Sequence, residues 1–172
     1  MLTKGQKDYL SKLNPKRANS PVIINKYNLQ TEKVTKKVID IIIKKIPKAD
    51  VRFMGSSALK ICGQNDVDIY IICPPNLKNN YLSKLKPIFG NQIKNKNKWK
   101  WIENGIEVSV YLSDPNDKKF QEQLEIFNIF KNNSQILKKY EELKKTLNGK
   151  SYKEYQIAKY EFYNRILNIE NK

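Results

Sequence analysis

Asn104 and Gly105 stand between two runs of strand-forming residues, at 98–102 and 106–112. Both tolerate positive φ, as a two-residue β-turn requires, so the pair predicts a hairpin with one definite register. With Asn104-Gly105 as the loop, Ile102 faces Glu107, Trp101 faces Val108, Lys100 faces Ser109 and Trp99 faces Val110. Side chains alternate across a strand. Trp99, Trp101, Val108 and Val110 therefore fall on an apolar face, and Lys98 and Lys100 share the other with Glu107, Ser109 and Tyr111. A slip of one residue would invert both sets. Two readings of Lys98 and Lys100 follow: they hold phosphate beside the acid, or they are solvated edge residues.

Two more acids belong to the same problem. Val51-Arg-Phe-Met54 reads as a strand that enters a tight turn and a helix start at Gly55-Ser56-Ser57. About ten residues on, Asp66-Val67-Asp68-Ile69-Tyr70-Ile71-Ile72 reads as a second strand, and its alternation sends Asp66 and Asp68 to one face. An acid on an apolar strand is costly unless it is paired or binds a cation. If Asp66, Asp68 and Glu107 converge, they make a hard oxygen cage of the kind magnesium needs between a protein and a nucleoside triphosphate. Taken singly, the two aspartates equally suit a polar edge strand or turn, and Gly55-Ser56-Ser57 a simple helix cap.

Met54-Gly55-Ser56, Asp66-Val67-Asp68 and Glu107, in that order, resemble the signature of the polymerase-β-type nucleotidyltransferase superfamily. Tyr140-Glu-Glu-Leu-Lys144 and Tyr155-Gln-Ile-Ala-Lys159-Tyr-Glu-Phe162 narrow the resemblance to its GrpB-like family, over roughly residues 50 to 167. The resemblance implies an α/β (α+β) nucleotidyltransferase fold, a small mixed β-sheet with helices packed on one face and a helical C-terminal segment. It implies that Gly55, Ser56 and Ser57 hold the triphosphate of an NTP, ATP first among them. Lys144, Tyr155 and Lys159 would complete nucleotide binding. The alternative reading of Tyr155, Lys159 and Phe162 is a packing stripe with a snorkelling lysine. Asp66, Asp68 and Glu107 would be both the metal ligands, for magnesium or manganese, and the catalytic residues, with Glu107 activating the attacking hydroxyl. Two departures stand out. The family often has His-x-His on the strand where Glu107 stands, and this chain has no histidine; Phe127 stands where the family tends to have arginine.

With 172 residues, 40% hydrophobic and ten of them tyrosine, the chain can bury one ordinary core. The expected organisation is a basic N-terminal arm over 1–28, loosely docked, a nucleotidyltransferase core over 29–115, and a helical segment over 116–172 packed on that core. Val34, Val38, Ile41, Ile42 and Ile46 have helical spacing over 31–46 and should pack on the sheet. Helices are also expected at 4–13, between Leu77 and Gly90, and at about 117–132, 134–147 and 151–168. Ser151 and Glu154 form a capping-box pattern, with Asn148-Gly149 a C-cap before it.

Cys62 and Cys73, without histidine, can assemble neither an ordinary zinc site nor a Cys-His nucleophile. The N-terminus lacks the apolar stretch of a secretory signal, and no apolar run is long enough to cross a bilayer, so a cytoplasmic protein without a membrane partner is expected. The formal net charge of +16 attracts phosphate backbones. Only Arg17, Arg52 and Arg165 among the 33 basic residues are arginine, so base-reading forks are scarce. The reading is a magnesium-dependent nucleotidyltransferase that passes a nucleoside monophosphate to an acceptor hydroxyl on RNA, protein or a small molecule. The alternatives are a catalytically silent nucleotide- or RNA-binding relative and a purely structural partner protein.

Overall fold

The computed structural model describes residues 1–93 and 96–170. Helices α1 (Lys4–Ser11) and α2 (Pro15–Ala18) precede α3 (Gln30–Lys45). Strand β1 (Asp50–Met54) runs directly into the single turn α4 (Gly55–Ala58), and β2 (Val67–Ile72) follows. A 3-10 turn at Pro75–Leu77 leads into α5 (Lys78–Phe89), and β3 (Lys98–Glu103) and β4 (Ile106–Ser113) form the hairpin. Helices α6 (Lys118–Asn132), α7 (Ser134–Thr146) and α8 (Tyr152–Glu170) come last. The final two residues of the 116–172 segment lie outside the described residues.

The strands form one mixed sheet in the order β1-β2-β4-β3. β1 and β2 are antiparallel, as are β3 and β4, whereas β2 and β4 are parallel. A parallel pair needs a crossover, and α5 with β3 lies in the connection between β2 and β4. The hairpin has the register that Asn104-Gly105 predicts: Ile102 pairs Glu107, Trp101 pairs Val108, Lys100 pairs Ser109 and Trp99 pairs Val110. Asn104 and Gly105 both take positive φ, 50° and 76°.

That register decides which face is buried. Val67, Ile69, Ile71, Trp99, Val108 and Val110 meet Val34, Val38 and Ile42 of α3 and Leu85 of α5 in the main core. Helices α6 to α8 make a second cluster around Ile126, Phe130, Tyr140, Phe162 and Ile166, with Ile61 inserted from the loop before β2. Burying large apolar side chains in two clusters separates a core that holds the sheet from one that holds the C-terminal helices. The capping box forms, with Ser151 N–H donating to Glu154 Oε2 at 3.0 Å and Glu154 N–H to Ser151 Oγ at 3.3 Å.

Residues 1–28 are docked more firmly than their polar composition suggests. Val22 is buried, its N–H donates to the Lys150 carbonyl and its carbonyl accepts from Gly149 N–H, at 2.9 and 2.8 Å. Asn25 and Gly63 exchange both backbone hydrogen bonds, at 2.7 and 2.9 Å. Backbone pairing with distant residues is invisible to a composition-based reading. Among the described residues no helix is long and apolar enough to cross a membrane.

Candidate active site

The face of the sheet opposite the main core carries the polar residues. On β2 the burial alternates, with Val67, Ile69 and Ile71 inward and Asp68, Tyr70 and Ile72 on the other side. Asp66 immediately precedes the first paired residue of β2. Parallel pairing sets Asp68 beside Ser109 and Tyr70 beside Tyr111 on β4, and β3 adds Lys98 opposite Tyr111. Glu107, Ser109, Tyr111, Lys98 and Lys100 thus share the face of Asp68, as alternation requires.

Gly55 is required where β1 turns into α4. Its φ of +83° is left-handed, and a Cβ there would lie 3.1 Å from Asp68 Oδ2. Ser57 is buried and its hydroxyl donates to the Asp66 carbonyl at 2.7 Å, which ties the turn to the first acid. Ser56 receives a hydrogen bond from the ammonium of Lys144 on α7.

Lys144 is 2% exposed, an exceptional burial for a lysine. Desolvation, followed by the charge of Lys159, lowers its pKa to about 8, against a smaller opposing pull from Asp66. Lys159 lies over the Tyr163 ring, 5.4 Å from its centroid. The surrounding tyrosines, Tyr163 foremost, outweigh its burial and hold it firmly protonated. Tyr155 is also buried; burial pushes its phenol up while Lys159 pulls it down, and Asp66 is close enough to push it up further.

Burial, then the neighbouring Asp66 charge, raises the Asp68 carboxyl to about 6, with Lys98 and Lys159 acting the other way. Asp68 Oδ1 accepts from the Tyr111 hydroxyl at 3.1 Å. Glu107 is engaged elsewhere, in an ion pair with Lys100 at 2.6 Å. Lys98 and Lys100, expected to be phosphate ligands or solvated edge residues, are both paired within the sheet: Lys98 Nζ donates to the Tyr111 hydroxyl at 2.7 Å.

The structure therefore brings Ser56, Asp66, Asp68, Lys144, Tyr155 and Lys159 into one electrostatic neighbourhood, built by α4, β2, α7 and α8. Glu107 shares the face but is turned to β3. Among the described residues no three His, Cys, Asp or Glu side chains gather as a metal-binding group. Asp66 and Asp68, however, have no ion-pair partner among the described residues and repel each other. Magnesium is commonly held by one or two carboxylates plus substrate phosphates, so this two-carboxylate donor set fits it.

Sequence reasoning missed two residues that shape this site. A Cβ at Gly63 would lie 2.8 Å from Ser56 Cβ and 3.0 Å from Lys144 Nζ, so only glycine lets α7 bring its lysine so close to the turn. Glu141, one helical turn before Lys144, accepts the Cys62 N–H at 3.0 Å and docks α7 on that loop. Neither has a local signal, because both act through a contact between distant segments.

No protein-family model matches the sequence, and no curated protein matches it. Solved structures do. The crystal structure of the conserved protein GrpB from Enterococcus faecalis superposes with a TM-score of 0.60 at 16% identity, over 87% of this chain and 100% of that one. The chain has the GrpB fold. The resemblance to GrpB carried by Gly55-Ser56, Asp66, Asp68, Glu107 and the Tyr-Lys helices is thus borne out as a fold, and the chain has the small mixed sheet and C-terminal helices that it implied. Cid1, which has RNA terminal uridylyl transferase activity, is similar over 77% of this chain and 42% of its own, at 12% identity and a TM-score of 0.43. A Cid1 structure with MgGTP bound gives the same TM-score at 14% identity, over 77% of this chain and 43% of its own. In this chain α7 and α8 carry Lys144 and Lys159, which lie near enough to feel the charges of Asp66 and Asp68.

Proposed function

We propose that this protein is a magnesium-dependent nucleotidyltransferase of the cytoplasm that moves a nucleoside monophosphate from an NTP, ATP first, to an acceptor hydroxyl. One observation carries the reading. Lys144 and Lys159 lie beside Asp66 and Asp68, yet none of the four has an ion-pair partner among the described residues. Lys144 is buried and Asp66, Asp68 and Lys159 are half-buried, and charges taken this far out of water without an ion-pair partner are costly. A polyphosphate carrying a divalent cation satisfies both signs at once.

In this reading Asp66 and Asp68 would hold magnesium, or manganese, with Glu107 joining them once released from Lys100. When bound, the cation supplies charge neutralisation to the phosphates. Gly55 leaves room for phosphate near the backbone, where the N–H groups of Ser56 and Ser57 and the Ser56 hydroxyl donate. Lys144 and Lys159 would meet the β- and γ-phosphates, with Tyr155 completing nucleotide binding beside Lys159. The acceptor oxygen attacks the α-phosphorus, the bond to the bridging oxygen breaks, and pyrophosphate leaves. Glu107 orients the acceptor hydroxyl and takes its proton. RNA, a protein hydroxyl and a small molecule all supply such an acceptor.

The test is a thermal shift of wild type and Asp68→Asn with each of the four ribonucleoside triphosphates, with and without magnesium. A ligand that binds only the folded state stabilises it by mass action, about 2.7 kcal/mol at a hundred times its Kd. The expected result is a magnesium-dependent rise in Tm that Asp68→Asn loses. No rise with any triphosphate at millimolar concentration sinks the reading.

The Glu107–Lys100 ion pair favours a second reading, a catalytically silent relative that binds nucleotide or RNA. Such a protein keeps a salt-sensitive affinity for RNA in Asp68→Asn, through its lysine-rich surface alone.

A further inference from the structure

We propose that Tyr111, itself oriented by Lys98, is a positioning residue that fixes how Asp68 presents its carboxylate to a divalent cation. The inference rests on the reading that Asp66 and Asp68 hold such a cation.

The three residues form a chain across three strands. Lys98 and Tyr111 are a cross-strand pair of the hairpin, and Tyr111 pairs with Tyr70, two residues beyond Asp68 on the same face of β2. Lys98 Nζ reaches the Tyr111 hydroxyl at 2.7 Å, and that hydroxyl reaches Asp68 Oδ1 at 3.1 Å. A protonated lysine donates and never accepts. The phenol oxygen must therefore accept from Lys98, and its single proton is directed to Asp68. The chain runs one way, from Lys98 through Tyr111 to Asp68.

The ring itself is held. Tyr70 stacks on Tyr111 with centroids 4.5 Å apart and planes 10° from parallel, and Lys98 Nζ lies 4.3 Å from the Tyr111 centroid. Among the described residues Asp68 is thereby gripped at one oxygen only. Oδ1 takes the phenol, while Oδ2 faces the Gly55 turn, 3.1 Å from where a Cβ would stand. The turn proposed to hold phosphate and the open carboxylate oxygen thus meet at one place. A hydrogen bond to one oxygen of a ligating carboxylate sets the angle of the other, which is how outer partners of metal ligands act.

Lys98 and Tyr111 act in series, which distinguishes them from two side chains that merely help the face fold. The measurement is binding of Mn2+ alone, followed by electron paramagnetic resonance without nucleotide, on wild type, Tyr111→Phe, Lys98→Met and the double variant. Tyr111→Phe keeps the stacked ring and removes only the hydroxyl; Lys98→Met keeps the stem. Tyr111→Phe is expected to weaken Mn2+ binding about tenfold, within the range for removal of a second partner. Lys98→Met weakens it in the same direction, Lys98→Arg restores it, and the double variant is no weaker than Tyr111→Phe, because effects in one chain do not add. Tyr111→Phe with unchanged affinity, or a double variant in which the two losses add, overturns the inference while wild-type binding keeps the metal reading intact. A wild type that binds neither Mn2+ nor a triphosphate with magnesium overturns both.

Discussion

The ammonium of Lys144 donates its hydrogen bond to the hydroxyl of Ser56, 88 residues earlier in the chain. Among the described residues no carboxylate forms an ion pair with it; desolvation and the nearby Lys159 lower the Lys144 pKa to about 8. A polyphosphate arriving beside it raises that pKa again. At pH 8.5 much of the free protein's Lys144 is therefore neutral, and triphosphate binding takes up a proton. Titration calorimetry in two buffers of different ionisation enthalpy should show net proton uptake at pH 8.5 and much less at pH 6.5. Equal heats in both buffers at pH 8.5 would remove Lys144 from the phosphate site.

The same burial has a consequence for stability. The folded-state pKa of about 8 lies below the ordinary lysine value of 10.5. Below pH 8 Lys144 is charged in both states and the folded state bears the desolvation cost. Between the two values the unfolded state binds more protons, so this group makes stability rise with pH. Lys144→Met should thus stabilise the free protein at pH 7 by roughly 1–3 kcal/mol, as replacing a buried charge by an apolar side chain often does. Its advantage should shrink between pH 8 and 10.5. Urea midpoints of both proteins across that range decide it, and a variant less stable at pH 7 contradicts the argument.

Gly63→Ala tests the close approach that brings α7 to the turn. The added Cβ would stand 2.8 Å from Ser56 Cβ, a contact real structures do not tolerate, and Ser56 cannot swing away without releasing Lys144. Overpacking of this kind costs about 1–3 kcal/mol. We expect that loss in chemical denaturation, together with loss of the triphosphate thermal shift. Retention of both would show that α7 sits farther out in solution.

How far these residues were legible beforehand follows from the range of each interaction. The hairpin register was readable because two adjacent residues, Asn104 and Gly105, decide it, and the faces of Glu107, Lys98 and Trp99 follow by alternation. The capping box of Ser151 and Glu154 is equally local. The face of Asp68 was readable too, but its partner was not: Tyr111 meets it only because β2 and β4 are parallel neighbours, a matter of topology. Gly63, Glu141 and the docking of Val22 stayed hidden for the same reason, since each is defined by a backbone or helix far away in the chain. The acids were visible as types, and what neutralises each of them was not.

Lys100 supplies the last prediction. It pairs with Glu107 at 2.6 Å, diagonally from its own partner Ser109, and both side chains are 41% exposed. An ion pair so accessible contributes little to stability, about 0–1 kcal/mol, so Lys100→Met should leave the Tm almost unchanged. Its effect should fall on the site. Glu107 released from its lysine becomes available as a third carboxylate, and the pull of a further anionic oxygen on a hard cation is large. Lys100→Met is expected to tighten Mn2+ binding severalfold, and Lys100→Met combined with Glu107→Gln to return it to the wild-type value or below. If Lys100→Met binds Mn2+ no better than wild type, Glu107 is not a metal ligand, and its part in the proposed reaction narrows to the acceptor hydroxyl.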